Sequence, residues 1–142
     1  INYGLEIANF KPETTARLLE VMEENSKVHN PIDIYPGAVK YGWDKVYEIS
    51  LDAVLEDEGI DAAIVITWEA GDRVAPDCIV APASRHPEKP VLVSAFGSSA
   101  GQFRRILSEA QIPTYTFAES AVLALSRMYK YASYREGLEN LS

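Results

Sequence analysis

The chain has 142 residues, of which 47% are hydrophobic and 24% are charged. This composition excludes disordered, collagenous and low-complexity chains, and the length suits a single domain, residues 1–142, with a substantial core. The net charge of −8 at pH 7 repels nucleic-acid phosphates and anionic lipids, so we expect no nucleic-acid partner and no membrane partner.

The first sixty residues are predicted to form two helices with a short strand between them. Pro12 marks the start of the first helix, since a proline costs nothing at the first helical position. The segment from Asn30 to Ile34 predicts a turn that leads into a short strand, followed by a Pro-Gly turn at 36–37. Helical spacing of apolar residues then predicts an acidic helix from Trp43 to a stop at Gly59.

The remainder alternates strands and helices more clearly. Two apolar runs, residues 62–67 and 91–96, predict buried parallel strands covered on both faces. A short helix is expected at 77–81, another before residue 111, and a fourth strand at 114–117, after which Thr116 and Glu119 match a capping box. The order α-β-α-β-α-β-α-β-α predicts a three-layer α/β/α sandwich with a parallel sheet, of flavodoxin-like or Rossmann-like type.

One loop is a candidate anion site. Ligands approach open parallel sheets at the carboxyl ends of the strands, where Gly97, Ser98, Ser99 and Gly101 lead into a helix. Glycines allow close backbone approach, and the positive end of the following helix favours an anion. The loop matches neither a Walker A motif nor the three-glycine dinucleotide motif, so a simple strand-to-helix connection is the alternative.

The other polar residues give weaker indications. His29 and His86 have no nucleophile or carboxylate placed beside them by spacing, so we predict no catalytic residue. Asp33 follows a proline closely, which favours a turn residue that bonds nearby amides over one that orients a ligand. The carboxylates of the 43–58 helix are expected to be solvated, with no metal site. Trp68 ends a predicted strand and is a candidate interface residue.

Cysteine content and the first residue bear on the setting of the chain. Cys78 is the single cysteine, which excludes an internal disulfide and fits a reducing, cytoplasmic compartment. The longest apolar run, residues 62–66, is far shorter than the roughly 20 residues that span a bilayer. Because the chain begins with Ile1, we expect it to be excised from a larger multidomain protein.

The order of motifs resembles that of the NDP-forming (ADP-forming) acyl-CoA synthetases, from about residue 4 to residue 131. The motifs are Asn30-Pro31-Ile32-Asp33, Asp61-Ala62-Ala63-Ile64-Val65-Ile66, Lys89-Pro90-Val91-Leu92-Val93 with Gly97, Ile112-Pro113-Thr114-Tyr115, and Glu119-Ser120-Ala121-Val122 with Leu125. The chain is similar to the second flavodoxin-like CoA-ligase domain of that family and to the C-terminal domain of the succinyl-CoA synthetase β subunit. Its family-motif residues are Asn30, Pro31 and Asp33.

The resemblance implies a parent enzyme that joins a carboxylic acid to coenzyme A while cleaving ATP to ADP, through an acyl phosphate and a phosphohistidine, with Mg²⁺. The CoA-binding, histidine-bearing and ATP-grasp domains are separate partners in that family. This domain would bind no cofactor itself, would be inactive alone, and would pack against the histidine-bearing domain. The alternative is a regulatory binding module of a protein acetyltransferase with a degenerate acyl-CoA synthetase region.

The sequence departs from the family pattern at two places. Glu69 and Asp72 lie where the succinyl-CoA synthetase β subunit has a pair of glycines, and their charges would oppose an anion. Gln111 replaces the glycine that is usual before Ile-Pro. Neither change is expected to disturb the fold.

Overall fold

The computed structural model describes residues 3–68 and 70–141. The elements, in chain order, are α1 (Pro12–Leu19), α2 (Tyr35–Tyr41), α3 (Trp43–Glu56), β1 (Ala63–Trp68), α4 (Asp77–Arg85), β2 (Val91–Phe96), α5 (Ala100–Glu109), β3 (Thr114–Tyr115) and α6 (Ala118–Glu139). None of the helices in the described part of the chain combines the length and hydrophobicity that a membrane span requires.

The strands form one parallel sheet in the order β1-β2-β3. Ala63 lies opposite Val91 in the first pair, and Val93 lies opposite Thr114 in the second. The crossovers are α4 and α5, which return the chain from the end of β1 to the start of β2 and from the end of β2 to the start of β3. The predicted parallel α/β architecture is confirmed, with β1 and β2 within one residue of their expected bounds.

Three layers result, with the main core on one face of the sheet. Alternate strand residues, such as Val65 and Val93, pack in one cluster with Leu55 of α3, Ile79 of α4 and Phe103 of α5. Helix α6 packs on the opposite face. Helices cover both faces of β2 as far as Ala95, as predicted. The prediction that β1 is also covered on both faces is wrong, because α6 packs mainly on β2 and β3 and leaves Ile66 and Trp68 exposed.

A smaller cluster joins the first two helices to α3. It contains Val21, Met22, Ala38 and Val46, and half-buried Trp43 lies between it and the main core. Gly37 of α2 is buried directly against the chain after α1. A Cβ atom at position 37 would lie 2.1 Å from the carbonyl oxygen of Val21, so only glycine fits there.

The prediction of a short strand before Pro36 is wrong. The segment 31–34 has no regular structure, and α2 begins at Tyr35 with Pro36 in its first turn, where proline is well tolerated. Ile32 and Ile34 pack against the helical cluster instead of joining the sheet. The sheet formed by the described residues therefore has three strands, one fewer than expected.

The last strand and the last helix also differ from prediction. β3 ends at Tyr115, and the Arg104 guanidinium donates to the Ala95 carbonyl, with Nε at 3.0 Å, where a longer β3 would have bonded. No capping box forms at the start of α6, because its N-cap residue is Phe117 and not Thr116. The Glu119 carboxylate instead accepts a hydrogen bond from the Tyr3 hydroxyl at 3.0 Å. Helix α4 is longer than predicted and continues through a buried Pro82.

Candidate functional site

The carboxyl edge of the sheet brings the predicted anion loop next to a second loop. After β2, Gly97 has a φ of 140°, a backbone conformation that favours glycine, and α5 begins at Ala100. After β1, the Ala70 N–H donates to the Phe96 carbonyl at 3.2 Å, and the Gly71 N–H donates to the Val74 carbonyl at 2.9 Å. The chain after β1 is thereby folded back towards the start of α5.

Asp72 joins the two loops. Its carboxylate accepts hydrogen bonds from the Ser98 hydroxyl at 3.1 Å and from the Ser99 hydroxyl at 2.6 Å. Gly71 allows this approach, because its φ is 86° and a Cβ at that position would lie 2.9 Å from the Ser99 carbonyl oxygen. The two serines predicted to face an anion therefore face a carboxylate of the same chain.

This arrangement has an electrostatic consequence. Hydrogen bonds from Ser99 and Ser98 lower the pKa of the Asp72 carboxyl below its ordinary value, so it is charged at neutral pH. An external anion at the same hydroxyls would have to displace a negative charge.

Glu69, the other residue expected to oppose an anion, lies outside the described residues. Gly101 lies in the first turn of α5 and is exposed.

The family-motif residues make separate contacts. The Asn30 side-chain amide donates to the Ala8 carbonyl at 3.1 Å, and Pro31 follows a cis peptide bond. The Asp33 carboxylate accepts the Tyr35 N–H at 3.0 Å, as expected of a turn residue at the start of α2. These bonds fix the segment that leads into α2. Ser98 and Ser99 bond to Asp72 instead, so no hydrogen bond between described residues joins the family-motif residues to the predicted anion loop.

An ionic cluster that sequence reasoning missed lies between α1, α3 and α4. Asp52 accepts hydrogen bonds from Arg17 Nη2 and Arg85 Nε, both at 3.0 Å, and His86 Nε2 lies 3.3 Å from its Oδ1 atom. Burial raises the pKa of the Asp52 carboxyl, but these donors outweigh burial and lower it. Asp52, Glu56 and His86 offer ligand atoms within 4.8 Å of one another. Arg17 also bonds Glu56, so guanidinium groups already satisfy both carboxylates and the group fits a metal ion poorly.

A second carboxylate on this side is fully buried. Asp57 Oδ2 accepts the Lys11 N–H at 2.9 Å and the Thr14 hydroxyl at 2.7 Å, which ties the start of α1 to the end of α3. Its other oxygen accepts the Gly59 N–H at 2.9 Å. The expectation that every carboxylate of this helix region is solvated is therefore wrong for Asp52 and Asp57. Apart from the Gly59 N–H, the partners of these two carboxylates lie more than 30 residues away along the chain, so no local spacing could have shown them.

The remaining groups offer little chemistry. Burial raises the pKa of the Cys78 thiol to about 12, so the thiol is protonated and unreactive at neutral pH. A shallow cleft of about 540 Å³ lies at the amino-terminal end of the sheet, lined by Glu56, Glu58, Asp61 and Lys89 among others. This cleft lies at the opposite end of the strands from the Ser98–Ser99 loop.

Comparison with known proteins identifies the relatives of this chain. No protein-family model matches it. It is 35% identical over 137 residues to an ADP-forming acetate–CoA ligase (II) of Archaeoglobus fulgidus, a match that covers 93% of this chain and 20% of the relative. The chain is homologous to one segment of the ADP-forming acetate–CoA ligases. The A. fulgidus ligase I is 28% identical over 130 residues, covering 92% of this chain and 18% of that ligase, so the chain spans about a fifth of each ligase.

Solved structures show the same fold. The dinucleotide-forming acetyl-coenzyme A synthetase 1 of Ca. Korarchaeum cryptofilum, in its apo form, superposes with a TM-score of 0.77 at 21% identity over 99% of this chain and 31% of its own. The same synthetase in complex with phosphate and ADP has a TM-score of 0.76 at 21% identity, with the same coverage of the two chains. The similarity shows that the chain shares the fold of part of these structures, in agreement with the predicted α/β class.

Proposed function

We propose that the chain is one domain of a larger, cytoplasmic ADP-forming acyl-CoA synthetase. The observation that carries this proposal is the 35% identity to an ADP-forming acetate–CoA ligase over 93% of the chain. The parent enzyme joins a carboxylic acid to coenzyme A, cleaves ATP to ADP and phosphate, and proceeds through an acyl phosphate and a phosphohistidine. Coenzyme A, the nucleotide and Mg²⁺ bind to the CoA-binding, histidine-bearing and ATP-grasp domains.

This domain has a supporting role in the proposed enzyme. The groups near its carboxyl edge suit that role, because Asp72 is held as an anion by Ser98 and Ser99 and the Cys78 thiol is buried and protonated. Neither group offers an activated nucleophile. In the proposed enzyme the domain supplies no catalytic residue, and it packs against the histidine-bearing domain, as the family resemblance implies.

The Ser98–Ser99 loop is the proposed point of contact with the phosphoryl group. A helix N-terminus with two hydroxyl donors stabilises a phosphoryl charge, and α5 begins directly after these serines. In the structure the hydroxyls donate to Asp72. Contact with the phosphohistidine then requires the 70–74 loop to withdraw, so the loop and the phosphoryl group compete for the same donors.

Labelling with γ-labelled ATP tests the proposal on the full-length protein, with the 142-residue chain as control. We expect an acid-labile, base-stable phosphoryl group on the full-length protein alone, discharged by ADP or by coenzyme A with a carboxylic acid. An unlabelled full-length protein overturns the ligase proposal and favours the regulatory module. Label on the 142-residue chain, at His29 or His86, overturns the supporting role.

A further inference from the structure

The sheet has the topology of one half of a doubly wound sheet. Its strands follow one another in space as they do along the chain, and both crossover helices, α4 and α5, pack on the same face. Right-handed crossovers that run in one direction place their helices on one face. A doubly wound sheet also continues in the other direction from its first strands, with helices on the opposite face. For the present strand order, the other half of such a sheet would lie beside β1.

The outer edge of β1 is suited to another strand. The Ala63 N–H donates to the Pro90 carbonyl at 3.0 Å, so by alternation Ile66 and Trp68 direct their backbone N–H and C=O groups away from β2. The Tyr47 hydroxyl donates to the Ile66 carbonyl at 3.0 Å and the Thr67 hydroxyl donates to the Trp68 carbonyl at 3.4 Å, and each carbonyl oxygen keeps a second lone pair. Natural edge strands are blunted by charge or proline, and residues 63–68 contain neither.

The adjoining surface of the sheet is apolar and only partly covered. Ile66 is 58% exposed, Trp68 46% and Phe96 44%, and all three lie on the face that α6 packs against. On the same face of β2, Leu92 and Ser94 are buried. The uncovered strip, defined here as Ile66, Trp68 and Phe96, therefore lies at the carboxyl ends of β1 and β2, where α6 leaves this face exposed.

We propose that the outer edge of β1 and the uncovered strip receive a parallel β-strand and the helix that follows it. The strand pairs with the edge of β1, and the apolar face of its helix covers Ile66, Trp68 and Phe96. The source of this unit is the remainder of the larger synthetase, which rests on the proposed function. The A. fulgidus ligase has the chain to supply it, since the present chain spans 20% of it.

Twofold symmetry argues against a second copy as the occupant. A twofold axis at this edge would pair β1 with its own copy in antiparallel orientation. Such a pair would satisfy the backbone groups, but it would bring no crossover helix over the strip. The strand-helix unit accounts for two observations together: no described strand pairs with the outer edge of β1, and the strip is only partly covered.

Residue-resolved hydrogen exchange tests the proposal in the 142-residue chain and in the full-length protein. The amides of Val65 and Thr67, which point towards β2, serve as internal controls for those of Ile66 and Trp68. In the 142-residue chain we expect Ile66 and Trp68 to exchange at least about 100-fold faster than the controls, and in the full-length protein within about tenfold of them. Equally fast exchange of Ile66 and Trp68 in both proteins overturns the proposal.

Ile66→Lys, with Val39→Lys as its matched control, gives an independent readout. Val39 is 65% exposed on α2, away from the strip. In the 142-residue chain we expect both variants to change Tm by less than about 3 °C, and in the full-length protein only Ile66→Lys to lower Tm, by about 5 °C or more. Equal effects of the two variants in the full-length protein contradict the proposal.

Two further results separate this proposal from the proposed function. A 142-residue dimer in sedimentation that Ile66→Lys converts to monomer assigns the edge to a second copy and overturns the strand-helix unit. Protection of Ile66 and Trp68 in a full-length protein that takes no phosphoryl label supports the strand-helix unit while the ligase proposal fails. If the source organism makes the chain only as a 142-residue polypeptide, the proposed source is wrong.

Discussion

The two faces of the sheet are built from the same strands but differ in completeness. On the face of α3, α4 and α5, Leu55 and Leu107 are fully buried and Phe103 is 1% exposed. On the face of α6, Ile66 is as apolar as its neighbours in β1 yet more than half exposed. Both faces are therefore hydrophobic enough to be buried, but the described residues cover only one of them completely.

Truncation on the closed face has the largest expected effect. Leu107→Ala removes a fully buried side chain from the main core, and we expect it to lower the free energy of unfolding by about 2–5 kcal/mol. Urea unfolding of the 142-residue chain measures this loss. A loss below about 1 kcal/mol would mean that the closed face is loosely packed and that the contrast between the faces is wrong.

The buried carboxylate that ties α1 to α3 comes next. Asp57→Asn removes the charge that accepts bonds from Lys11, Thr14 and Gly59, and we expect a loss of about 1.5–3 kcal/mol in urea unfolding at pH 7. Glu58→Gln, one residue further on at an exposed position, is the control and should change stability far less, because an exposed ion pair contributes little. Equal losses for the two variants would show that Asp57 contributes no more than a surface charge.

The same carboxylate gives a pH dependence. Burial raises the pKa of the Asp57 carboxyl, but the bonds from Lys11, Thr14 and Gly59 outweigh burial and hold it below the ordinary value of 3.8. A depressed pKa contributes stability that is full above the unfolded value and is lost as pH falls through the folded value. We expect the urea concentration at the midpoint of unfolding to decrease as the pH is lowered below about 4. In Asp57→Asn this decrease should be less steep. Parallel pH profiles would contradict this assignment.

A smaller effect is expected at the carboxyl edge. Asp72→Asn removes the charge that faces Ser98 and Ser99, and we expect phosphate to bind the loop about two- to fivefold more tightly than in the unaltered chain. Amide chemical-shift changes of residues 97–101 during phosphate titration measure the affinity. If neither protein shifts, the loop is a strand-to-helix connection and not an anion site.

The smallest effect is expected on the open face. Ile66→Ala should change the stability of the 142-residue chain by less than about 0.5 kcal/mol, because the side chain is 58% exposed and leaves no cavity. Urea unfolding beside Leu107→Ala compares the two faces directly. A loss similar to that of Leu107→Ala would mean that the strip is covered by the chain itself.

Sequence reasoning succeeded where the pattern is local and long. β1 and β2 are six-residue strands in which every residue but one is apolar, and each was predicted to within one residue. It failed at residues 32–34, because so short an apolar segment forms a strand only if it can pair with a strand edge that is distant in sequence. Pro36 and Gly37 read as a turn, whereas the structure uses the proline in a first helical turn and the glycine for contact with Val21.

The candidate site was less predictable for a related reason. The loop with Ser98 and Ser99 was located correctly at the carboxyl edge, but its partner Asp72 lies 26 residues away from Ser98. The ionic cluster around Asp52 depends on Arg17, 35 residues away, and on the packing of α1 against α3. Such contacts depend on tertiary structure, and a single sequence carries no local signal for them.

The outer edge of β1, with which no described strand pairs, also affects solubility. Residues 63–68, Ala-Ile-Val-Ile-Thr-Trp, are rich in β-branched and aromatic side chains and carry no charge, which is the composition of segments that nucleate cross-β fibrils. At neutral pH the net charge of −8 keeps copies of the chain apart. As acid neutralises the carboxylates, that repulsion weakens while the edge remains available, so precipitation on mild acidification is expected to begin at this strand.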